Sequence, residues 1–143
     1  IFVLGGALEN SISRRIGETL YRFSGNERIL ITATIALTTG FSAFLSNTAV
    51  AAILLPIVLN ISKSVNISRS KLLLPMATGA VIGGGITLIG GPGNAFVVSS
   101  LEELGTGQTY SFFDFTVVGL PLAIIAILYV YWIGWKMLQI INR

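Results

Sequence analysis

The architecture follows from residues 29–61, ILITATIALTTGFSAFLSNTAVAAILLPIVLNI, an uncharged run of 33 residues. A single straight helix of that length would measure about 50 Å, whereas the hydrocarbon core of a bilayer is about 30 Å thick. The polar triplet Ser46-Asn47-Thr48 divides the run into apolar pieces of 17 and 13 residues, and the second is too short for a full span. The run therefore predicts a re-entrant hairpin that turns at the triplet and leaves the membrane on the side where it entered.

The composition of the chain also indicates a lipid bilayer as its solvent. Of the 143 residues, 53% are hydrophobic and 10% are charged, whereas a soluble domain carries roughly 25% charged residues. The chain has no Cys and no His, which excludes disulfides, thiolate metal sites and imidazole chemistry within it. The nine Lys and Arg residues lie in short segments between apolar runs. That distribution is typical of membrane topology signals and argues against a nucleic-acid partner.

The charges of the loops test the hairpin independently. Residues 9–28 carry four Arg, and residues 62–71 carry three Lys and Arg and no acid, whereas residues 99–114 carry three acids and no base. Because basic loops belong in the cytoplasm, we expect 9–28 and 62–71 inside and 99–114 outside a cell membrane that the chain crosses several times. The two basic loops share a side only if residues 29–61 return to the side from which they start.

The remaining segments divide at their polar residues, and all belong to one transmembrane transport region, 1–143. Residues 1–8 are interpreted as the end of a membrane helix in a chain excised from a longer polypeptide. Residues 9–28 place apolar side chains at helical spacing beside arginines, which predicts an interfacial helix. An ordinary cytoplasmic connecting helix is the alternative. Residues 115–135 form a clean span of 21 residues with Tyr and Trp at its inner end.

A second break interrupts residues 72–98. Their centre contains Gly83-Gly84-Gly85 and then Gly90-Gly91-Pro92-Gly93-Asn94, and no continuous helix survives that density of Gly together with a Pro. We expect a discontinuous transmembrane helix, helical over 72–82, irregular around 84–94 and helical again afterwards. Irregular backbone at membrane depth is tolerated only where it is buried in protein or lines a cavity. The predicted fold class is an all-α, polytopic membrane protein.

Polar side chains gather at the tip of the predicted hairpin. Ser42 and Ser46 are four residues apart and would share one helix face, and Asn47 and Thr48 follow at the turn. Their neutral oxygens suit Na⁺, while the N-terminus of a helix that starts at Ala49 favours an anion. The alternative is that these hydroxyls only pack or bond to their own backbone. An amide between two apolar runs is costly unless it is paired, so Asn47 is the strongest candidate.

The glycine-rich break is the second candidate site, with Pro92 and Asn94 as its candidates for substrate contact. Unwound carbonyl groups can complete a cation shell, and close helix packing through small residues is the alternative. A dinucleotide-binding loop is rejected, because no soluble strand precedes the glycines. No catalytic residue is expected, since the sequence offers no nucleophile–base pair and its acids at 102, 103 and 114 lie outside the apolar runs. These features argue against an enzyme.

At these motifs the sequence resembles the divalent anion:sodium symporters, the sodium–dicarboxylate/sulfate carriers of the ion transporter superfamily. Residues 5–25 are similar to the interfacial helix of that family, and residues 41–57 to its first hairpin with the signature Ser-Asn-Thr. Residues 83–94, GGGITLIGGPGN, are similar to its unwound helix, which usually reads nearer GGTxTxIGTPPN. Three positions of that motif depart from the usual Thr, Thr and Pro: Gly85, Gly91 and Gly93. The two missing hydroxyls leave room for a different anion or coupling ion.

The resemblance implies a secondary active transporter that couples Na⁺ to the movement of a dicarboxylate, a tricarboxylate or sulfate. It implies two inverted repeats, of which this chain holds part of the first, and a homodimer in the bilayer. Matched by position, Ser42, Ser46, Asn47 and the backbone of Gly90 would bind sodium, and Asn47 and Thr48 would contact the small anionic substrate. Na⁺ is the coupling ion, and no organic cofactor is expected.

Two other functions fit the same sequence. A Na⁺/H⁺ antiporter or an exporter of arsenite or another oxyanion shares the hairpin architecture within the superfamily. A titratable carboxylate at the corresponding site outside this chain would favour that function. A membrane-embedded structural or channel subunit is the alternative of another class, and a second Ser-Asn-Thr hairpin in the whole protein would disfavour it.

Overall fold

The regular structure of the chain is helical. A computed structural model describes residues 2–105, 107 and 109–141, and no strand occurs among them. This confirms the all-α class. In chain order the helices are α1 (Phe2–Arg22), α2 (Glu27–Ser42), α3 (Asn47–Val65), α4 (Arg69–Gly84), α5 (Pro92–Glu103), α6 (Thr116–Tyr129) and α7 (Trp135–Ile141), with a π-helical turn (Val130–Gly134) between the last two.

Helices α2 and α3 form a hairpin whose two ends lie together. Asn26 caps α2 and Ser46 caps α3, each through a side-chain oxygen that accepts a backbone N–H bond. At the other end, an ion pair of 2.7 Å between Lys71 Nζ and Glu27 Oε1 holds the start of α4 beside the start of α2. The chain therefore runs to the tip along α2 and returns along α3 to the end of the bundle where it began.

The second arm of this hairpin is longer than the sequence indicated. Helix α3 has 19 residues, because Asn47 and Thr48 form its first turn and the helix continues past the apolar run to Val65. At 1.5 Å per residue it measures about 28 Å, and its 19 residues fall within the range of roughly 17–25 residues that transmembrane helices use. It is one of two described segments that are long and apolar enough to span, the other being Thr116–Ile140. The inference that the second arm is too short for a span was wrong.

Helix α1 is continuous over Phe2–Arg22, whereas the sequence predicted a division of this region after residue 8. No proline interrupts it, and two adjacent glycines do not suffice to end it. Two residues of its apolar stripe, Ile16 and Leu20, are buried against the hairpin. They join a core of aliphatic side chains from α1 to α4 that also includes Leu30, Ile31, Val50, Leu54, Val58, Ile61, Leu72 and Met76.

Helices α2 and α4 run in the same direction and approach closely. A Cβ atom added to Gly79 would lie 2.8 Å from Ile35 O, and one added to Gly83 would lie 2.4 Å from Thr39 O. Real Cβ atoms do not tolerate such distances from backbone, so glycine permits this approach. The end of α4 is thereby pressed against the end of α2, next to the hairpin tip.

Helix α6, the π-helical turn and α7 form one long segment that runs back along α2 and α4. At its start, Thr116 Oγ1 donates to Ile86 O at 2.8 Å, just beyond the end of α4. Towards its end, Arg28 Nε donates to Tyr131 O at 2.6 Å, and the guanidinium lies 4.0 Å from the centre of the Tyr131 ring. The segment therefore contacts the hairpin bundle at both ends.

Candidate functional site

The helix interrupted by glycines ends at Gly84 and restarts at Pro92, so residues 85–91 form the break. Pro92 occupies the first position of α5, where its fixed φ suits a helix and its missing N–H would have no helical partner anyway. Gly91 precedes it in an extended conformation. The irregular backbone lies within the range 84–94 that the glycines and the proline predicted.

The side chain of Asn94 holds the backbone of this break in place. Its Nδ2 donates to Gly84 O at 2.9 Å and to Thr87 O at 2.8 Å, so one side-chain amide joins α5 to the end of α4 and to the middle of the break. Both carbonyls lie beyond the regular helical ladder, and the amide supplies them with a donor. Asn94 is half-buried and holds the loop, while Pro92 is exposed at the start of α5.

The hairpin tip meets the break at two polar side chains. Ser42 is fully buried, and its Oγ donates to Ala80 O at 2.6 Å. In the orientation that satisfies its neighbours, the Asn47 amide directs Nδ2 toward Ser42 Oγ at 2.7 Å, Ala80 O at 2.8 Å and Gly90 O at 3.3 Å. The opposite orientation would turn Oδ1 toward the same carbonyl oxygens. The site thus joins α2, α3, α4 and the break.

Two glycines allow the backbone to come this close. A Cβ atom on Gly84 would lie 2.5 Å from the side-chain amide of Asn47, and one on Gly90 would lie 2.8 Å from Gly84 O and 2.9 Å from Ser42 O. The carbonyl of Gly90 can therefore approach the tip only because its residue has no side chain. Gly85, by contrast, is exposed, and a Cβ there would meet its nearest atom at 3.4 Å.

Of the predicted sodium ligands, the structure brings together Ser42, Asn47 and Gly90. Ser46 is exposed, and its Oγ accepts from Ala49 N at 3.3 Å as the cap of α3. Thr48, predicted to contact substrate, is exposed in the first turn of the same helix.

Two polar groups of this region escaped the sequence analysis. One is the carbonyl of Ala80. Every residue has such a backbone carbonyl, so the residue type does not predict its role. The other is the buried hydroxyl of Thr87, which donates to Ala43 O across the gap between break and tip. A lone threonine amid Gly, Ile and Leu was a signal that could have found the second group.

The N-termini of two helices meet at this cluster. Asn47 is the first residue of α3, and its amide contacts the carbonyl of Gly90, two residues before α5 begins. Each N-terminus carries a partial positive charge and orphan N–H groups. Neutral oxygens and two positive helix ends therefore stand side by side, an arrangement that suits a cation next to an anion.

Comparisons with known proteins place the chain among transporters. Residues 1–142 match the CitMHS family, described as citrate transporter. The chain is 34% identical over 131 residues to the uncharacterized transporter YfbS of Escherichia coli (strain K12). The matched residues cover 90% of the chain and 21% of that protein. It is 37% identical over 134 residues to the uncharacterized transporter sll0640 of Synechocystis, covering 91% of the chain and 21% of that protein.

A more distant relative is named for its substrates. The probable sodium/sulfate cotransporter 3 of Chlamydomonas reinhardtii is 28% identical over 95 residues, which cover 62% of the chain and 11% of that protein. The chain spans about a fifth of the length of the first two relatives. These matches confirm the resemblance to transporters and indicate a transporter rather than an enzyme. The chain belongs to the CitMHS family, which is described as citrate transporter.

Proposed function

We propose that this chain supplies one half of the binding site of a secondary active transporter, which couples Na⁺ to the movement of a small anion across the cell membrane. The observation that carries the proposal is the convergence of four oxygen-bearing groups from separate elements. These groups are the hydroxyl of Ser42, the amide of Asn47, and the carbonyls of Ala80 and Gly90. None carries a formal charge, which suits a weakly held cation that must be released.

A rotation of one amide would convert this cluster from a self-satisfied network into a cation site. Without a cation, Asn47 Nδ2 faces the two carbonyl oxygens and Ser42 Oγ. Turned by about 180°, the same amide would present Oδ1, and all four groups would direct oxygens at one point. Na⁺ would then replace the amide hydrogens as the partner of the carbonyls. The cost of binding is small, because the backbone already holds these oxygens in place.

The anion would bind next to the cation, against the N-termini of α3 and α5. Thr48 and Asn47 in the first turn of α3, and Pro92 and Asn94 in the first turn of α5, are the proposed contacts. The family description favours a tricarboxylate such as citrate, and the name of the algal relative favours sulfate. Both are small anions of the kind that helix N-termini bind. The bound Na⁺ would add a full positive charge beside the anion and so link the two binding events.

The topology proposed for this function has the hairpin entering and leaving from the cytoplasmic side. The ion pair between Glu27 and Lys71 at its open end supports a shared side for both arms. Helix α2 has 16 residues and measures about 24 Å, shorter than the hydrocarbon core, which supports a tip that stays within the membrane. A second inverted repeat outside this chain and a homodimeric assembly complete the proposal.

The test is uptake by the full-length protein in proteoliposomes. Radiolabelled citrate, succinate and sulfate are offered under an inward Na⁺ gradient, an inward K⁺ gradient or a proton gradient alone. We expect uptake of at least one anion to require Na⁺. Asn47→Ala should raise the half-saturating Na⁺ concentration about tenfold or more, since a bond to a charged group contributes roughly 1.5–3 kcal/mol.

Asn60→Ala is the matched control, because Asn60 is an exposed asparagine in the same helix, remote from the tip. It should leave the Na⁺ dependence at the wild-type value. Equal uptake in K⁺ would overturn the coupling to Na⁺, and Na⁺ efflux driven by a proton gradient would favour the antiporter instead. If uptake by Asn47→Ala kept the wild-type dependence on Na⁺, the hairpin tip would not be part of the cation site.

A further inference from the structure

The break between α4 and α5 is held from two sides by threonine hydroxyls. Thr87 Oγ1 donates to Ala43 O, which belongs to the turn of the hairpin tip. From α6 and the segment before it, Thr116 Oγ1 donates to Ile86 O at 2.8 Å, and Phe112 O accepts from Leu88 N at 3.2 Å. Three successive residues of the break thus bond to neighbouring elements.

Thr87 connects to the candidate cation site through Asn94 and Gly84. Its carbonyl accepts from Asn94 Nδ2, and the same nitrogen donates to Gly84 O. Gly84 in turn lies against the Asn47 amide and the Gly90 carbonyl. One short series of contacts therefore runs from the Thr87 carbonyl to two of the proposed ligands, and the side chain of the same residue is only 1% exposed.

Irregular backbone depends on such contacts more than a helix does. Within a helix, the hydrogen-bond ladder fixes the direction of each carbonyl, whereas in residues 85–91 the direction must come from outside the segment. The hydroxyl of Thr87 supplies such an outside contact at the point where the break faces the tip. Ala43 is itself buried and lies one residue past the end of α2. The bond therefore fixes the spacing between the two halves of the site.

We propose that Thr87 is a positioning residue for the cation site: its hydroxyl sets the distance between the hairpin tip and the carbonyl of Gly90. The inference rests on the proposed function, since it assigns the effect to the binding of Na⁺. It does not assign Thr87 as a ligand, because its hydroxyl bonds to the carbonyl of Ala43 and its contact with the proposed ligands runs through Asn94 and Gly84. Loss of the hydroxyl would let tip and break separate, and the cation would have to pull them together.

Thr87→Val tests this inference, because Val keeps the branched shape and removes only the hydroxyl. In the full-length protein, we expect the half-saturating Na⁺ concentration to rise about tenfold, while the maximal rate at saturating Na⁺ stays near the wild-type value. Thr87→Ser should restore the wild-type Na⁺ dependence, since Ser keeps the donor. Thr34→Val is the control, because Thr34 is equally buried but donates to Leu30 O within its own helix.

The outcomes separate this inference from the proposed function. If the wild type requires Na⁺ and Thr87→Val shifts the Na⁺ dependence no more than Thr34→Val, the positioning role is overturned and the proposed function stands. If wild-type uptake ignores Na⁺, both are overturned. Should Thr87→Val not reach the membrane, Thr116→Val weakens the same break from the side of α6. It should raise the half-saturating Na⁺ concentration in the same direction, and an unchanged value would overturn the inference.

Discussion

Ser42 and Ser46 show how the end of a helix changes the role of a side chain. At helical spacing they would share a face, but α2 ends at Ser42, and the intervening residues turn toward α3. Ser42 consequently stays buried and bonds to Ala80 O, while Ser46 becomes the exposed cap of the next helix. The i, i+4 rule applies only as long as the helix continues.

This difference yields a prediction for the two serines. Ser42→Ala should raise the half-saturating Na⁺ concentration about tenfold, because it removes one of the four oxygens and a bond between α2 and α4. Ser46→Ala should instead destabilise the protein by about 1 kcal/mol, the usual effect of losing a cap, with little change in Na⁺ dependence. Uptake titrations and thermal unfolding in detergent measure the two effects.

Ser46→Asn provides the control for the cap, since Asn caps helices as well as Ser does. It should recover the stability that Ser46→Ala loses. A tenfold rise in the half-saturating Na⁺ concentration for Ser46→Ala, equal to that of Ser42→Ala, would return Ser46 to the set of sodium ligands.

Residue types could predict one part of the site and not the other. Asn47 was identifiable because an amide between two apolar runs is costly unless something pairs with it. Ser42 was named for a face shared with Ser46, which the structure does not form, although Ser42 itself does contact Asn47 and Ala80. The carbonyl of Ala80 was not, because a backbone oxygen is the same at every residue and its availability depends on what packs against the helix.

At the scale of the elements, the breaks were predictable and the lengths were not. Proline and clustered glycine predicted the interruption between α4 and α5, and the structure places it at residues 85–91. The apolar run underestimated the length of α3, because a helix can begin next to a polar capping residue and extend beyond the apolar stretch. The parallel packing of α2 on α4 depends on glycines whose partners are distant in sequence, so composition alone could not predict it.

The close packing of α2 and α4 gives the prediction at this scale. Gly83→Ala should destabilise the protein by about 2 kcal/mol or more, because its Cβ would stand 2.4 Å from Thr39 O and neither backbone can yield without parting the helices. It should also weaken Na⁺ binding, since Ser42 and Ala80 lie on those same two helices. Thermal unfolding and Na⁺ titration of uptake measure both effects.

Gly40→Ala is the matched control, because Gly40 is exposed in α2 and a Cβ there meets nothing within 4 Å. Alanine favours a helix over glycine by about 1 kcal/mol, so this variant should be equally stable or more stable than the wild type. If the two substitutions had equal effects, the close approach of α2 and α4 would not contribute to stability.

At the scale of the whole molecule, the charges of the loops predict on which side each segment ends, but they do not predict which helices pack against one another. Basic loops at 9–28 and 62–71 predicted that the segment between them returns to its starting side, and the ion pair of Glu27 with Lys71 agrees with that path. The contact of Arg28 with Tyr131 joins residues 103 positions apart, and no local pattern reports it. It holds the base of the hairpin to the final span, so the bundle is bound at both its ends.

The path proposed for the chain through the bilayer leads to a prediction on accessibility. The chain has no cysteine of its own, so single cysteines can be introduced after any elsewhere in the full-length protein are removed. Gly25→Cys and Ser70→Cys, at exposed positions within the basic segments 9–28 and 62–71, should react with a bulky, impermeant maleimide only from the cytoplasmic face. Thr109→Cys, on the acidic loop, should react only from the opposite face. Reaction of the first two from different faces would exclude the hairpin.

The same reagent can distinguish a re-entrant tip from two complete spans. Phe44 is exposed at the turn, so Phe44→Cys reports where the tip lies. Because α2 is about 24 Å long against a core of about 30 Å, a re-entrant tip would stop inside the membrane, where a polymer-linked maleimide cannot follow. We therefore expect Phe44→Cys to stay unlabelled in intact cells and to react after denaturation. If it reacted as fast as Thr109→Cys, both arms would cross the membrane, and the cation site at the tip would open directly to the outside rather than at mid-depth.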